Sequence, residues 1–198
     1  GACKKYGSVQ YLGNAEEPYL YAVRLSDVDD GVIAFHPNTA GIAQELISKT
    51  DAKSILIEAE DNIGKYLRSE NNCIIRNSDS SIICGANVTG IPKGVTSIDD
   101  YAFYEATVAE ELTFPSTLEK IGESAFVGCK NLKKVTFTGS KIELGHSSFE
   151  NCKTLETVAL SGKLTEIPDH CFFGCNALSE IIIPDSVTKI EYLFIYIK

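Results

Sequence analysis

The second half of this chain repeats itself every 23 residues without a gap. Gly90–Leu112 reads GIPKGVTSIDDYAFYEATVAEEL and Thr113–Val135 reads TFPSTLEKIGESAFVGCKNLKKV. Thr136–Val158 reads TFTGSKIELGHSSFENCKTLETV, Ala159–Ile181 reads ALSGKLTEIPDHCFFGCNALSEI, and a further copy opens at Ile182. A fixed period of this length leaves few options. Each unit is too short to enclose an apolar core alone, so it buries its apolar side by stacking on its equivalents, as in a solenoid. The expectation is an α/β or mainly β solenoid over 90–198. Before it, over 1–89, lies an irregular part with one degenerate repeat and a hairpin cap.

The apolar positions form columns. Val95, Leu118, Leu164 and Val187 make one, broken by Lys141; Ile98, Ile121, Leu144, Ile167 and Ile190 make the next. Phe103, Phe126, Phe149 and Phe172 make a third, preceded by the small residues Ala102, Ala125, Ser148 and Cys171. Leu132, Leu155 and Leu178, with Leu112, Val135, Val158 and Ile181, complete the interior. Gly128, Asn151 and Gly174 stand where a positive φ is needed before a cysteine column. Pro92, Pro115 and Pro184 end strands.

The earlier part is less regular. Val9–Leu12, Tyr19–Leu25, Val32–Phe35 and Lys53–Glu58 read as strands, and Asn38 or Thr39 can cap a short helix over Ala40–Ser48. Phe35-x-Pro37, Leu46-Ile47 and Ile55 echo the array two residues short, as a worn copy. Asp27–Gly31 resembles the start of a calcium loop, but its spacing fits an Asp-Gly turn better. Asp61–Ser69 reads as polar connection. Cys73–Arg76 and Ser81–Cys84 flank a four-residue polar turn, which makes a hairpin with Cys73 opposite Cys84. That pair is either a cross-strand disulfide or two half-buried thiols.

Seven cysteines cannot all pair within the chain. Cys129, Cys152 and Cys175 share one repeat position, which suits a column of buried thiols better than disulfides or a zinc site. The net charge of -9 argues against nucleic acid and against docking on an anionic membrane. No apolar run approaches the roughly 18 residues that cross a bilayer. No signal peptide is present, which a processed chain would also lack, and Cys3 near the start could mark a lipoprotein cleavage site or nothing.

The repeat resembles the BspA-type leucine-rich repeat of bacterial surface proteins. Ile121, Ala125-Phe126, Cys129, Leu132 and Val135-Thr136-Phe137 carry the likeness, and the hairpin running into Gly90-Ile91-Pro92 looks like the usual entry to such an array. The resemblance covers about 71–193. It implies a curved, right-handed leucine-rich-repeat array at the cell surface or secreted, with an adhesin-like role toward host matrix or other cell-surface proteins. It implies no catalytic residue.

Leu-x-x-Val-x-Phe over 132–137 is an inward-facing strand pattern, and stacking such segments makes a sheet along one face. Its outward residues are Glu111, Thr113, Lys134, Thr136, Thr157, Ala159, Glu180 and Ile182. This concave face is the expected protein-binding surface, set against an ordinary solvated face. Tyr192, Leu193, Phe194 and Ile195 form an uncapped apolar end that suits end-to-end self-association instead. His36 has no evident partner. Stacking sets His146 between Glu123 and Asp169, with His170 next to it. Such a cluster can hold a metal or shuttle a proton, but a solvated acidic stripe is the preferred reading, so no catalytic residue, metal or cofactor is expected. Gly-rich phosphate loops are absent from the sequence.

Overall fold

A computed structural model describes residues 3–26, 28, 30–43, 46–48, 50, 52–160 and 162–192. The first part contributes β1 (Lys4–Tyr6), β2 (Val9–Leu12), β3 (Tyr21–Leu25), β4 (Val32–Phe35), β5 (Gly41–Ile42), β6 (Ser54–Ile57), β7 (Leu67–Glu70), β8 (Cys73–Arg76) and β9 (Ser81–Gly85). The array contributes β10 (Ser97–Ile98), β11 (Glu111–Phe114), β12 (Lys120–Ile121), β13 (Lys134–Phe137), β14 (Glu143–Leu144), β15 (Thr157–Ala159), β16 (Glu166–Ile167), β17 (Glu180–Ile182) and β18 (Lys189–Ile190). The fold is a β-solenoid with turns about 23 residues apart; one short 3₁₀ turn at Glu60–Asn62 is the helical content of the described residues.

Each turn of the array lays down two strands. The longer ones, β11, β13, β15 and β17, pair in parallel with Leu112, Val135, Val158 and Ile181 in register. The shorter ones, β10, β12 and β14, pair likewise with Ile98, Ile121 and Leu144 in register. The third side of each turn is not strand, yet its backbone is laddered. Phe103 N donates to Ala125 O at 2.8 Å, Phe126 N to Ser148 O at 2.8 Å and Phe149 N to Cys171 O at 3.0 Å. To make these bonds the chain enters the left-handed region at two columns. One is Tyr101, Ser124, Ser147 and His170 (φ 58, 52, 53 and 56°), and the other is Glu105, Gly128, Asn151 and Gly174 (φ 53, 64, 57 and 74°). The sequence marks only the second, by its glycines.

Inside, the phenylalanines stack as expected. Ring centroids are 4.8, 5.0 and 5.6 Å apart along Phe103, Phe126, Phe149 and Phe172. Cys129, Cys152 and Cys175 are buried free thiols. Each Sγ donates to a phenylalanine carbonyl of the preceding turn, at 3.1, 3.0 and 3.1 Å to Phe103, Phe126 and Phe149. The column broken by Lys141 is repaired locally: Lys141 is exposed and the next residue, Ile142, turns inward and is buried.

The hairpin β8–β9 is a wall between two cores. Cys73, Ile75 and Ile82 face the array core, while Ile74, Ile83 and Cys84 pack with Val9, Tyr11, Ile33 and Phe35 on the other side. This accounts for a run that is apolar on both faces. It also corrects the expected register. Cys73 lies opposite Gly85 and Ile74 opposite Cys84, because an extra residue, Ile83, interrupts the ladder. Cys73 and Cys84 therefore serve different cores and both are free thiols. The hairpin leads into the array through β9, which pairs in parallel with β10, Ile82 beside Ile98.

Three further expectations change in the first part. The helix over 40–48 is absent among the described residues; Gly41–Ile42 is instead a strand beside β3, while Gln44 and Glu45 lie outside the described residues. The polar connection over 61–69 contains the start of β7, anchored by the buried Leu67. Over the stretch read as a worn copy, β4 pairs with β6 in parallel, Ile33 beside Ile55, an offset one residue short of the array period and not two. The Asp-Gly turn holds: Gly31 takes φ 78° and Asp30 Oδ1 accepts from Val32 N at 2.9 Å, while Asp27 and Asp29 lie outside the described residues.

Candidate functional site

Alternation along a strand fixes which side chains leave the core. Because β11, β13, β15 and β17 are in register, their outward side chains line up in two rows. Glu111, Lys134, Thr157 and Glu180 form one row and Thr113, Thr136, Ala159 and Ile182 the other. All eight residues expected to point outward thus lie on one face of one sheet. Glu111, Thr113, Lys134, Glu180 and Ile182 are exposed, and Thr136 and Thr157 are half-buried. Ile182 is 53% exposed, so a branched apolar side chain sits in water at the end of its row.

The charges on this face are loosely held. Lys134 Nζ is 3.8 Å from Glu111 Oε2, and beside it Lys133 Nζ is 3.0 Å from Glu110 Oε2. Exposed pairs of this kind are worth about 0–1 kcal/mol. They can exchange partners with an incoming ligand at little cost. The sequence reading missed Glu110 and Lys133, although the same 23-residue offset links them.

Other concave places exist. A groove of about 550 Å³ runs between the hairpin and the first turn, lined among others by Gly41, Arg76, Asp79, Asp99 and Lys120. Arg76 is held there by Asp79 at 2.9 Å and Asp99 at 2.5 Å, so its charge is already neutralised. In the first part His36 does have partners: it stacks on Tyr19 at 4.1 Å, meets Tyr6 edge-on at 4.9 Å and accepts from Asn38 N at 3.0 Å. Burial there pulls its pKa down.

Five of the thiols are poor nucleophiles. Burial pushes Cys84 and Cys171 up to about 12 and raises Cys73 and Cys152 well above the ordinary thiol value. At Cys175 the contact with Cys152, followed by burial, does the same. The thiolate is the reactive form, and these sites suppress it.

At the histidine cluster the structure brings together His146, Asp169 and His170 but leaves Glu123 outside the group. Glu123 instead takes a hydrogen bond from Tyr101 Oη at 3.4 Å. Tyr192 is 80% exposed; Leu193, Phe194 and Ile195 lie outside the described residues. Among the described residues no helix is long and apolar enough to cross a membrane.

The description of the BspA-type leucine-rich repeat region matches residues 83–197 in six copies. A leucine-rich repeat protein from Eubacterium ventriosum superposes with a TM-score of 0.66 at 17% identity, over 82% of this chain and 48% of that one. The pneumococcal vaccine antigen PcpA superposes with a TM-score of 0.54 at 15% identity, over 84% of this chain and 45% of that one. At such identity the likeness is one of fold, and the chain spans about half the length of these structures. No curated protein matches the chain.

Proposed function

This chain belongs to the BspA-type leucine-rich repeat family, a class of protein-interaction repeat, and on that premise we propose that it is a non-enzymatic adhesin-like module. It acts at the cell surface or outside the cell and binds host matrix or other cell-surface proteins. The ligand lies across β11, β13, β15 and β17, on Glu111, Thr113, Lys134, Thr136, Thr157, Glu180 and Ile182. The observation that supports this reading is the pair of outward rows. They present a continuous run of mixed charge, hydroxyl and apolar groups that the interior does not use. Such a surface suits an extended protein partner whose charges alternate in sign. In this reading residues 1–89 cap the array of 90–198 and supply no ligand contact.

The test is a screen of the purified chain against immobilised matrix proteins and whole bacterial cells, repeated with Lys134→Glu and Glu180→Lys. Binding lost in both variants supports the proposal; no partner in any screen counts against it.

A second reading rests on the exposed Ile182, Ile190 and Tyr192 beside the outer strands β17 and β18. These support end-to-end association with a second copy. Sedimentation with and without residues 192–198 decides it, and a monomer in both cases removes the idea.

A further inference from the structure

We propose that His146, Asp169 and His170 bind a divalent transition-metal ion, with Zn²⁺ the best fit, and that the ion staples two successive turns of the array. One potential ligand atom from each residue lies within 4.8 Å of the others. Asp169 Oδ2 and His170 Nδ1 are 2.9 Å apart. The second carboxylate oxygen, Oδ1, is enclosed and makes no hydrogen bond, and the enclosed His170 Nδ1 has the contact with Oδ2 in place of one. Enclosed polar atoms without a partner are costly, and in native proteins such groups mark an ion, a water or a functional role.

The ligand chemistry selects the ion. Two imidazoles and a carboxylate suit Zn²⁺ and its neighbours, whereas Ca²⁺ and Mg²⁺ require shells of oxygen. With bonds of about 2.0–2.2 Å, tetrahedral ligand atoms stand about 3.3 Å apart. Side-chain rotation covers that closure. His146 is exposed, and its ring lies 5.5 Å from that of His170 at 67°, so it is free to swing. The backbone beneath is already fixed. Ser147 N donates to Asp169 O at 3.1 Å, and His170 sits in the left-handed turn at φ 56°. The earlier turns carry Asp100-Tyr101 and Glu123-Ser124 at these positions, without an imidazole, so the site belongs to this pair of turns alone. It departs from the expectation of a solvated acidic stripe because the stacking encloses Asp169 Oδ1 without a hydrogen bond and sets it beside two imidazoles, which spacing cannot reveal.

The test is isothermal titration of ZnCl₂, and separately CaCl₂, into the full chain stripped with EDTA and dialysed. A Cys3→Ser background removes the one exposed thiol. The expected result is one Zn²⁺ per chain at micromolar affinity, no response to Ca²⁺, and a higher thermal midpoint with Zn²⁺. His146→Gln and His170→Asn should each weaken binding at least about tenfold. Asn tolerates the left-handed backbone, and position 146 is exposed, so both variants keep the fold, which circular dichroism in EDTA verifies. Absence of Zn²⁺ binding below about 1 mM, or affinity unchanged in both variants, overturns the proposal.

Discussion

Phe149→Ala is the sharpest perturbation of the stacked interior. Phe149 is fully buried between Phe126 at 5.0 Å and Phe172 at 5.6 Å, and its ring also meets Phe114 at 6.2 Å and Phe137 at 6.5 Å edge-on. Removing a buried phenylalanine costs about 3–5 kcal/mol, made up of lost transfer free energy and the cavity left behind. The cost should fall at the upper end for two reasons. Four ring contacts are lost, each worth about 0.5–1.5 kcal/mol. The cavity also cannot collapse, because the ladder bonds Phe126 N to Ser148 O (2.8 Å) and Phe149 N to Cys171 O (3.0 Å) hold the turns at their spacing. Phe172→Ala, with one ring neighbour in the same stack, should cost less. Domains of this size are stable by roughly 5–15 kcal/mol, so the loss is a large share of the whole. The chain has no tryptophan, so urea unfolding is best followed by far-ultraviolet circular dichroism. A cost below about 1.5 kcal/mol, or equal costs at 149 and 172, would refute the reasoning from stacking.

Ile142→Ala should cost about 2–4 kcal/mol, because Ile142 fills the place that Lys141 vacates, while Lys141→Ala should change stability by less than about 0.5 kcal/mol; urea midpoints of the two variants compare them. Gly145→Ala should destabilise strongly, since a Cβ there would sit 2.5 Å from Glu123 N and 2.5 Å from the Gly122 carbonyl carbon, both backbone atoms that cannot yield; expression and thermal midpoint report it. Thiol labelling at pH 8 should modify Cys3 at once and Cys129, Cys152, Cys171 and Cys175 only as fast as the chain unfolds. The Cys84 and Cys171 thiols, pushed up to about 12 in the fold, should make stability depend on alkali. The folded chain keeps protons that the unfolded chain gives up near pH 9, so this contribution is intact below that value and is lost as pH rises toward 12. A urea midpoint that holds or rises over that window contradicts the assignment.

The array was legible because its period fixes which residues stack. Phe103 to Phe172, the thiol column and the outward rows all follow from equal spacing. What spacing could not show is where a residue of the wrong type is absorbed. Ile142 replaces Lys141 by a local change of path, and Tyr101, Ser124, Ser147 and His170 enter the left-handed region although none of them is glycine. There the backbone ladder to the next turn outweighs the local preference. The first part was harder for a related reason. The Cys73–Arg76 run reads as a strand, but its register depends on two cores that the sequence does not separate. Ala40–Ser48 carries a helical pattern that pairing with β3 overrides at Gly41–Ile42. For the proposed binding face, the sequence located which strand positions point outward; their partner chemistry is carried by side chains of mixed type that no period encodes.

The most direct test of the proposed binding face is hydrogen exchange of the chain, free and bound to a partner captured in the surface-protein screen. Protection should be gained along β11, β13, β15 and β17, and Lys134→Glu with Glu180→Lys should abolish it. Protection confined to the turns carrying Tyr101, Ser124 and Ser147, or to residues 1–89, would contradict the account.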